Sequence, residues 1–428
     1  MTAREYLSRY RYDERLVTGG LFDPQPISVG KGARVGVVLL NHGGPASASE
    51  VEDYLYRRFM DPVGLDLPLP CLARDLFSRA LARQIARAHR PKYQEVGGAS
   101  PLNRHARDQA AALQRRLNAR FGPATEASFH VYVGMRHGDP SYDAVAAHMQ
   151  ADGVTHVVLL PLYPQYAKST SGSVLHYWHA MAEAGEVPSC PTTYVHEYAA
   201  HPKLVQALSE RMDEALQRFP RDVRDRVQVV FCADGTPARD LVERRDPYCC
   251  LVHTTVEQVT RFREAHDPGR CYHASFLEHS LIRGLEPRTA ATIERLADEG
   301  HPGVLVVPVS FVSDHMQTAY TLDIRLRERA LHAGIEHFEV TSGLNCHPLF
   351  IEALAECVAA QVEAPAASSQ GDGIGVALPS AIVALPRLPA AGRSARCARC
   401  PLAVDACDWS FEPAVHVPVP EETVSAAG

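Results

Sequence analysis

The chain has 428 residues, of which 46% are hydrophobic, and a formal net charge of −7 with acidic and basic residues interspersed. This length allows two packed domains, whereas the charge pattern lacks the basic stripe that nucleic-acid binding requires. No run approaches the roughly 18 apolar residues of a membrane-spanning helix, and the N-terminus lacks an apolar signal segment. The odd number of cysteines, 11, argues for a reducing compartment rather than a disulfide framework. These features predict a cytoplasmic protein without a nucleic-acid partner and with at most peripheral membrane contact.

Strands and helices are predicted to alternate along the first half, after an N-terminal arm at residues 1–34. Buried parallel strands read as β-branched runs, and helices show apolar residues at helical spacing. In chain order the predicted elements are strand 35–40, helices 50–60, 73–89 and 104–121, strand 130–134, helix 142–152 and strand 156–162. Strand, helix and strand in this order predict parallel pairing through right-handed crossovers.

The second half repeats this plan. A strand at 227–232 is followed by a turn that resembles the one after the first strand, and a strand at 303–309 resembles that at 156–162. We therefore predict two related α/β domains, at residues 35–173 and 174–362. The strand ends of the two domains are expected to face one another across a cleft, which is the default binding site.

Residues 303–325 contain a buried strand, a polar turn and a predicted helix that starts at Met316. At α-helical spacing, Gln317, Thr321 and Arg325 share one face of this helix. This face therefore offers an amide, a hydroxyl and a guanidinium, and no carboxylate.

Six motifs in this order and spacing resemble the ferrochelatases, which insert ferrous iron into a porphyrin. The similarity runs from about residue 35 to residue 362 and implies two Rossmann-like domains, each a parallel sheet flanked by helices, with a porphyrin cleft between them. The motifs are NHGGP (41–45), GGASPLN (97–103), GMRHGDP (134–140), LPLYPQYAKSTSGS (160–173), FCADGTP (231–237) and SFVSDHMQTAYTLDI (310–324).

A porphyrin is a flat apolar disc with carboxylate tails, so its site needs aromatic and aliphatic walls and cations at the rim. The resemblance implies that Arg136 binds a propionate and that His137 replaces a family aromatic next to it. The residues expected to form the walls of the site are Met135, Tyr163, Tyr166 and Phe311.

The catalytic positions of the family are occupied differently here. The invariant family histidine is matched by Asp234, the family glutamate by Gln317, and a second family histidine by His315. Two further family acids are matched by Thr321 and Arg325. Asp234, His315 and Gln317 are the candidate catalytic residues and ligands of the substrate iron, because proton removal needs a base and iron delivery needs oxygen or nitrogen ligands.

These substitutions leave three interpretations open. The chain is an active ferrochelatase, a lyase of haem biosynthesis, in which Asp234 is the base and His137 or His315 supplies the missing ligand. Alternatively, it is a pseudoenzyme that binds porphyrin or haem without inserting metal. The third interpretation is a chelatase for a different metal or tetrapyrrole. A monomer and a homodimer are both compatible with the sequence.

The C-terminal region begins with an Ala/Pro-rich linker at 363–392 and continues as an irregular extension at 393–428. Cys397, Cys400 and Cys407 of this extension can converge on a metal, and some ferrochelatases hold a two-iron two-sulfur cluster with three such cysteines. The fourth ligand of the family is matched by Lys168. The replacement ligand is left open, as are structural zinc and free thiols; the candidates are Cys190, Cys346, Cys357 and His416.

Overall fold

The computed structural model describes residues 1–67, 69–277, 285 and 287–363. Its centre is two four-stranded parallel sheets, which confirms the predicted α/β class. The first sheet has the order β3-β2-β4-β5. Its strands are β2 (Arg34–Asn41), β3 (Ser128–Met135), β4 (His156–Pro161) and β5 (Thr192–Tyr194).

The second sheet has the order β7-β6-β8-β9, so the two sheets share one topology, as a duplicated unit would. Its central strands are buried along their whole length, because helices cover both faces of the sheet. The strands are β6 (Gln228–Ala233), β7 (Tyr272–Phe276), β8 (Gly303–Pro308) and β9 (His337–Val340).

Helices connect and cover the strands. One turn is a 3₁₀-helix (Ala48–Glu50), and two segments, Lys168–Gly172 and Gln317–Leu326, are π-helical. The α-helices are α1 (Ala3–Arg9), α2 (Arg15–Thr18), α3 (Val51–Met60), α4 (Cys71–Glu95), α5 (Leu102–Arg120), α6 (Gly122–Thr125), α7 (Tyr142–Ala151), α8 (Ser173–Glu183), α9 (Pro202–Leu216), α10 (Arg221–Arg224), α11 (Ala238–Arg244), α12 (Tyr248–Glu264), α13 (Thr289–Asp298), α14 (Arg327–Ala333) and α15 (Pro348–Ala359).

The domain boundary expected between residues 173 and 174 does not match the sheets. Strand β5 lies beyond it and yet pairs with β4 of the first sheet. This strand has three residues, TTY, and is too short and polar to give an apolar run of the kind from which five of the other strands were predicted.

The two halves share one hydrophobic core. A single buried cluster contains Val37 and Leu39 of β2, Val229 of β6 and Leu305 of β8. Helix α15 packs against both α5 and α9, and the short strand β1 (Ile27–Ser28) pairs with β10 (Val362–Glu363). The end of the described chain is thus built into the first half. The linker and the extension, from residue 364 onward, lie outside the described residues.

Candidate active site

The centre of the candidate site lies where β6 and β8 end. Asp234 directly follows β6, and its N–H donates to the Ser310 hydroxyl oxygen at 2.8 Å, just beyond β8. The Tyr248 hydroxyl donates to the Asp234 carbonyl at 3.0 Å. Parallel strands bring their carboxyl ends to one edge of a sheet, which is where open α/β sheets bind ligands. Asp234 is therefore fixed at the binding edge by both of its backbone groups.

Asp234, Gln317 and His315 form a hydrogen-bonded chain. The Gln317 Nε2 donates to Asp234 Oδ1 at 3.1 Å, and Gln317 Oε1 lies 2.9 Å from His315 Nε2. The other ring nitrogen of His315 lies 3.2 Å from the Ser313 carbonyl oxygen. A neutral imidazole can donate to only one of these two oxygens. The three candidate catalytic residues are thus brought together. The carboxylate of Asp234 is the one acidic group in this hydrogen-bonded series of three residues.

Burial lowers the pKa of His315. The hydrogen bond with Gln317 and the charge of Asp234 act in the opposite direction but do not outweigh burial. The ring is therefore neutral near pH 7 and is able to act as a metal ligand. Phe311, predicted as a wall residue, lies against it with ring centroids 4.8 Å apart.

In the first half, ring side chains cluster just beyond the ends of β2, β3 and β4. The His42 ring stacks on His137 at 5.4 Å with planes 9° apart and lies 5.3 Å from the Tyr163 ring. The Tyr163 hydroxyl donates to Asn41 Oδ1 at 2.9 Å. Burial, and then the positive charge of Arg58, lower the pKa of His42 to about 3. Sequence reasoning missed His42; its position in the NHGGP turn after a buried strand was the available signal.

The structure does not place Arg136 where a propionate could reach it. Its guanidinium lies 3.7 Å from the Tyr177 ring centroid and 4.8 Å from that of Tyr6. Arg136 and His137 also approach the buried Asp61 carboxylate at 3.6 and 3.5 Å. Burial would raise the pKa of Asp61, but these two groups and the Ser173 hydroxyl outweigh burial and hold the pKa below its usual value. Arg136 is therefore committed to an internal ion pair.

Two other predicted wall residues are buried in the core. Met135 is 1% exposed and Tyr166 is 0% exposed. Tyr166 stacks on His196 at 4.6 Å, and its hydroxyl donates to the Leu16 carbonyl of the N-terminal arm. The arm supplies this long-range partner, which a local pattern does not reveal. Tyr163 and Phe311 remain as candidate walls.

Helices α3 and α4 form a hairpin that reaches the second half. Met316 packs against the apolar cluster of this hairpin, and the Lys92 ammonium lies 5.6 Å from the Tyr320 ring centroid. Arg58 extends from α3 with an exposed side chain. Its pKa is raised by Tyr54 first and also by the charge of Asp234. Arg58, a second residue that sequence reasoning missed, thus places a cation within electrostatic range of Asp234.

The helix predicted after Met316 is present, but its segment Gln317–Leu326 is π-helical. In a π-helix, with i→i+5 hydrogen bonds, residues four apart are slightly less than one turn apart and still share one side of the helix. Thr321 and Arg325 are exposed, and Arg325 pairs with Glu328 at 2.9 Å. Of the three positions, Gln317 alone contacts Asp234 among the described residues.

Within the described part of the chain, no group of three or more His, Cys, Asp or Glu side chains is arranged to hold a metal ion. Lys168, at the position of the fourth cluster ligand, is buried. Its ammonium lies 3.1 Å from Asp240 and donates to the Val63 carbonyl at 3.2 Å. This position thus holds a paired cation and does not fit a cluster ligand.

A model of a known protein family matches most of the chain. The family model described as Ferrochelatase covers residues 34–362. The chain belongs to the ferrochelatase family. The ferrochelatase of Trichodesmium erythraeum is 34% identical over 334 residues, 78% of this chain and 84% of that protein. That of Geotalea daltonii is 34% identical over 328 residues, 76% of this chain and 97% of that protein. The resemblance predicted from the six motifs is confirmed.

A more distant likeness is found among solved structures. The structure of SirB from Bacillus subtilis with Fe3+ matches 77% of this chain and 95% of its own, with 13% identity and a TM-score of 0.46. A likeness this distant carries no argument about the site. The functional interpretation of this ferrochelatase-family protein therefore rests on its own residues.

Proposed function

We propose that this ferrochelatase-family protein binds a tetrapyrrole between its two halves and inserts ferrous iron into it, as a lyase of haem biosynthesis. The observation that carries the proposal is the chain Asp234–Gln317–His315 at the ends of β6 and β8. A proton acceptor, an amide oxygen and a neutral imidazole in hydrogen-bond contact are the groups that porphyrin metallation requires.

Asp234 is the proposed proton acceptor. Two pyrrole N–H protons must leave as iron enters the ring, and a carboxylate within reach can accept them in turn. Gln317 holds this carboxylate in position through its N–H group. The neutral His315 ring and the Gln317 carbonyl are the proposed ligands that receive the substrate iron before insertion. Tyr163 and Phe311 are the proposed contacts for the apolar faces of the tetrapyrrole.

A second function, binding of porphyrin or haem without metallation, is favoured by Arg58. Its positive charge is within electrostatic range of the Asp234 carboxylate, and Gln317 adds no negative charge. A fixed cation beside this carboxylate repels an approaching dication by Coulomb interaction, and solvent around the exposed Arg58 side chain screens part of that repulsion. The remaining repulsion would slow iron entry.

One experiment separates the two functions. Full-length protein is incubated anaerobically with ferrous iron and porphyrin, and haem formation is followed together with the porphyrin Soret band. Haem formation supports insertion; a Soret shift without haem overturns insertion and supports the binding function. Zinc and cobalt in parallel reactions test the third interpretation, a chelatase for another metal.

Arg58→Leu sharpens this test, with Arg58→Lys as the matched control that keeps the charge. If Arg58 repels the metal, the leucine variant forms haem faster, whereas the lysine variant does not. Equal rates in all three proteins would show that Arg58 does not control iron entry.

We infer that Cys397, Cys400 and Cys407 bind a two-iron two-sulfur cluster or a zinc ion; they lie outside the described residues. Support comes from their spacing, because a Cys-x-x-Cys turn points both sulfurs inward. Visible absorption of anaerobically purified protein, followed by metal analysis, distinguishes the cluster from zinc and from free thiols. A colourless, metal-free preparation overturns the inference.

Peripheral membrane contact is the further proposal that α4 supports. Leu72, Leu76 and Phe77 near its start are 68, 62 and 44% exposed. None of the helices in the described ranges combines the length and hydropathy that a bilayer crossing requires. Co-sedimentation with anionic vesicles tests the contact, and loss of co-sedimentation in the double variant Leu72→Ser, Leu76→Ser is expected. A cytoplasmic location is likewise a proposal, supported by the free thiols of the described cysteines.

A further inference from the structure

A cavity lies on the first half, beside the free edge of β3. It has a volume of about 400 Å³ and is bounded by α5, β3 and α7. Small-molecule sites in proteins measure roughly 300–1,000 Å³. The cavity is therefore large enough for a small ligand, and it contains none of the residues assigned to metallation.

Along β3, the backbone N–H and C=O groups of every second residue point toward this cavity. The N–H groups of Ser128 and Arg136 donate to carbonyls of Ala33 and Asn41 on the β2 side. Even-numbered residues of β3 therefore pair with β2. Since β3 is the edge strand of its sheet, the N–H and C=O groups of its odd-numbered residues point outward.

Helix α5 satisfies these outward groups along part of the edge. Asn118 accepts from the Phe129 N–H at 2.9 Å and donates to the Phe129 carbonyl at 2.7 Å. Four residues earlier, Gln114 accepts from the Val131 N–H at 2.9 Å. The next position in this row is Ala110, which has no polar group.

The pattern therefore stops at Val133. Its outward N–H has no hydrogen-bond partner among the described residues. Unpaired backbone groups of this kind are uncommon and are often satisfied by water or a ligand. Val133 and Ala110 both line the cavity, so the open N–H lies at its wall.

The remaining lining residues indicate the charge of a ligand. Arg107 and His148 are exposed residues of the lining, and the lining contains no acidic residue. Val145 adds apolar surface. A carboxylate is the group that accepts both from a backbone N–H and from a guanidinium, with charge-assisted hydrogen bonds.

We propose that this cavity binds a small carboxylic acid with an apolar body. The carboxylate accepts hydrogen bonds from the Val133 N–H and from Arg107. The apolar body packs against Ala110 and Val145. This site is independent of tetrapyrrole chemistry, and its test does not require metallation.

The test measures hexanoate binding to the full-length protein by calorimetry, with hexanamide as the uncharged ligand of the same shape. Hexanoate is expected to bind at least about tenfold more tightly than hexanamide, because hydrogen bonds to a charged group are the stronger ones. Arg107→Met should weaken hexanoate binding about tenfold. Arg115→Met, an exposed arginine of the same helix outside the cavity, should leave it unchanged.

Ala110→Gln gives the sharpest comparison, because it extends the row of Asn118 and Gln114 by one polar side chain. The new amide should fill the cavity, accept from the Val133 N–H and abolish hexanoate binding, with a thermal midpoint no lower than that of the parent protein. Unchanged hexanoate binding in this variant, or equal affinity for hexanoate and hexanamide, would overturn the proposal. The amide comparison and Arg107→Met decide the matter if the glutamine variant does not fold.

Discussion

Asp234 and Gln317 form a pair in which one member carries charge and the other carries none. The amide donates to the carboxylate, and Asp234 is the single carboxylate in the hydrogen-bonded series Asp234–Gln317–His315. The proposed metallation therefore depends on one carboxyl group, that of Asp234.

Asp234→Asn should lower haem formation by about 10²- to 10⁴-fold if Asp234 is the base, because general-base catalysis contributes on that order. The rate is measured anaerobically with ferrous iron and porphyrin, and porphyrin affinity should change little. Asp298→Asn, at an exposed helix end, is the control. A full rate in Asp234→Asn would contradict its role.

The double change Asp234→His with Gln317→Glu should raise the rate of metallation, because it restores an imidazole base and an acid to the family positions. The rate of haem formation is compared with those of the two single variants. No gain in the double variant would indicate that the cleft differs from the family by more than these two side chains.

The buried carboxyl group of Asp246 should make the free energy of unfolding depend on pH. Burial raises the pKa of Asp246 to about 6, although the N–H groups of Lys168 and Tyr248 donate to its carboxylate and oppose the shift. Between about pH 4 and pH 6 the folded protein binds this proton and the unfolded chain has released it, so the group lowers stability as pH rises through 6. The shift corresponds to about 3 kcal/mol.

Asp246→Asn removes this titration. The difference in unfolding free energy, parent minus variant, should therefore fall by up to about 3 kcal/mol between pH 4 and pH 7. Urea unfolding at several pH values measures it, and other titrating groups cancel in the difference. A constant difference across this range would refute the assignment.

At the scale of elements, α5 connects the two halves. Its fully buried Gln109 donates to the Ser313 hydroxyl at 2.9 Å and to the Asn345 carbonyl at 2.8 Å, both in the second half. The same helix caps the edge of β3 through Gln114 and Asn118. One helix therefore fixes the first sheet and the turn that carries His315.

Gln109→Ala should destabilise the protein by about 2 kcal/mol, because it leaves buried acceptors without their donor. Urea unfolding provides the measurement. Gln206→Ala is the matched control: Gln206 lies on α9 and donates to Glu210 at 3.0 Å in a partly exposed position. Similar losses in both variants would mean that Gln109 has no special role between the halves.

Five of the eight strands in the two sheets were predicted from apolar runs; β7 and β9 were not, and neither was β5. Its three residues carry no period, and their pairing with β4 depends on the rest of the sheet. The helix after Met316 was predicted as a helix, whereas its π-helical form was not. Helical spacing also could not indicate that Gln317 contacts Asp234 while Thr321 and Arg325 are exposed.

For the molecule as a whole, β10 is the last described element, and it joins the end of the described chain to its N-terminal part. Strand β10 pairs with β1, and α15 packs between α5 and α9. A chain that ends at Glu363 therefore retains every described helix and strand. We therefore expect the core to fold without the cysteine-containing extension.

A truncated chain of residues 1–363 should unfold at the same urea concentration as the full chain and bind porphyrin with the same affinity. It should also lose any visible absorption due to a cluster held by Cys397, Cys400 and Cys407. Porphyrin titration, spectroscopy and urea unfolding provide the three readouts. A large loss of stability would show that the extension is part of the fold.

The sequence by itself determined the family, the two parallel sheets and the positions of Asp234, His315 and Gln317, because motifs and strand periodicity are local properties of the chain. Tertiary structure decided which of the expected site side chains are buried. Arg136, Met135 and Tyr166 are buried by partners distant in sequence, including the N-terminal arm and Asp61. Tertiary structure also brought His42 against Tyr163 and Arg58 within electrostatic range of Asp234. Burial and charge pairing depend on such long-range contacts, which no local pattern encodes.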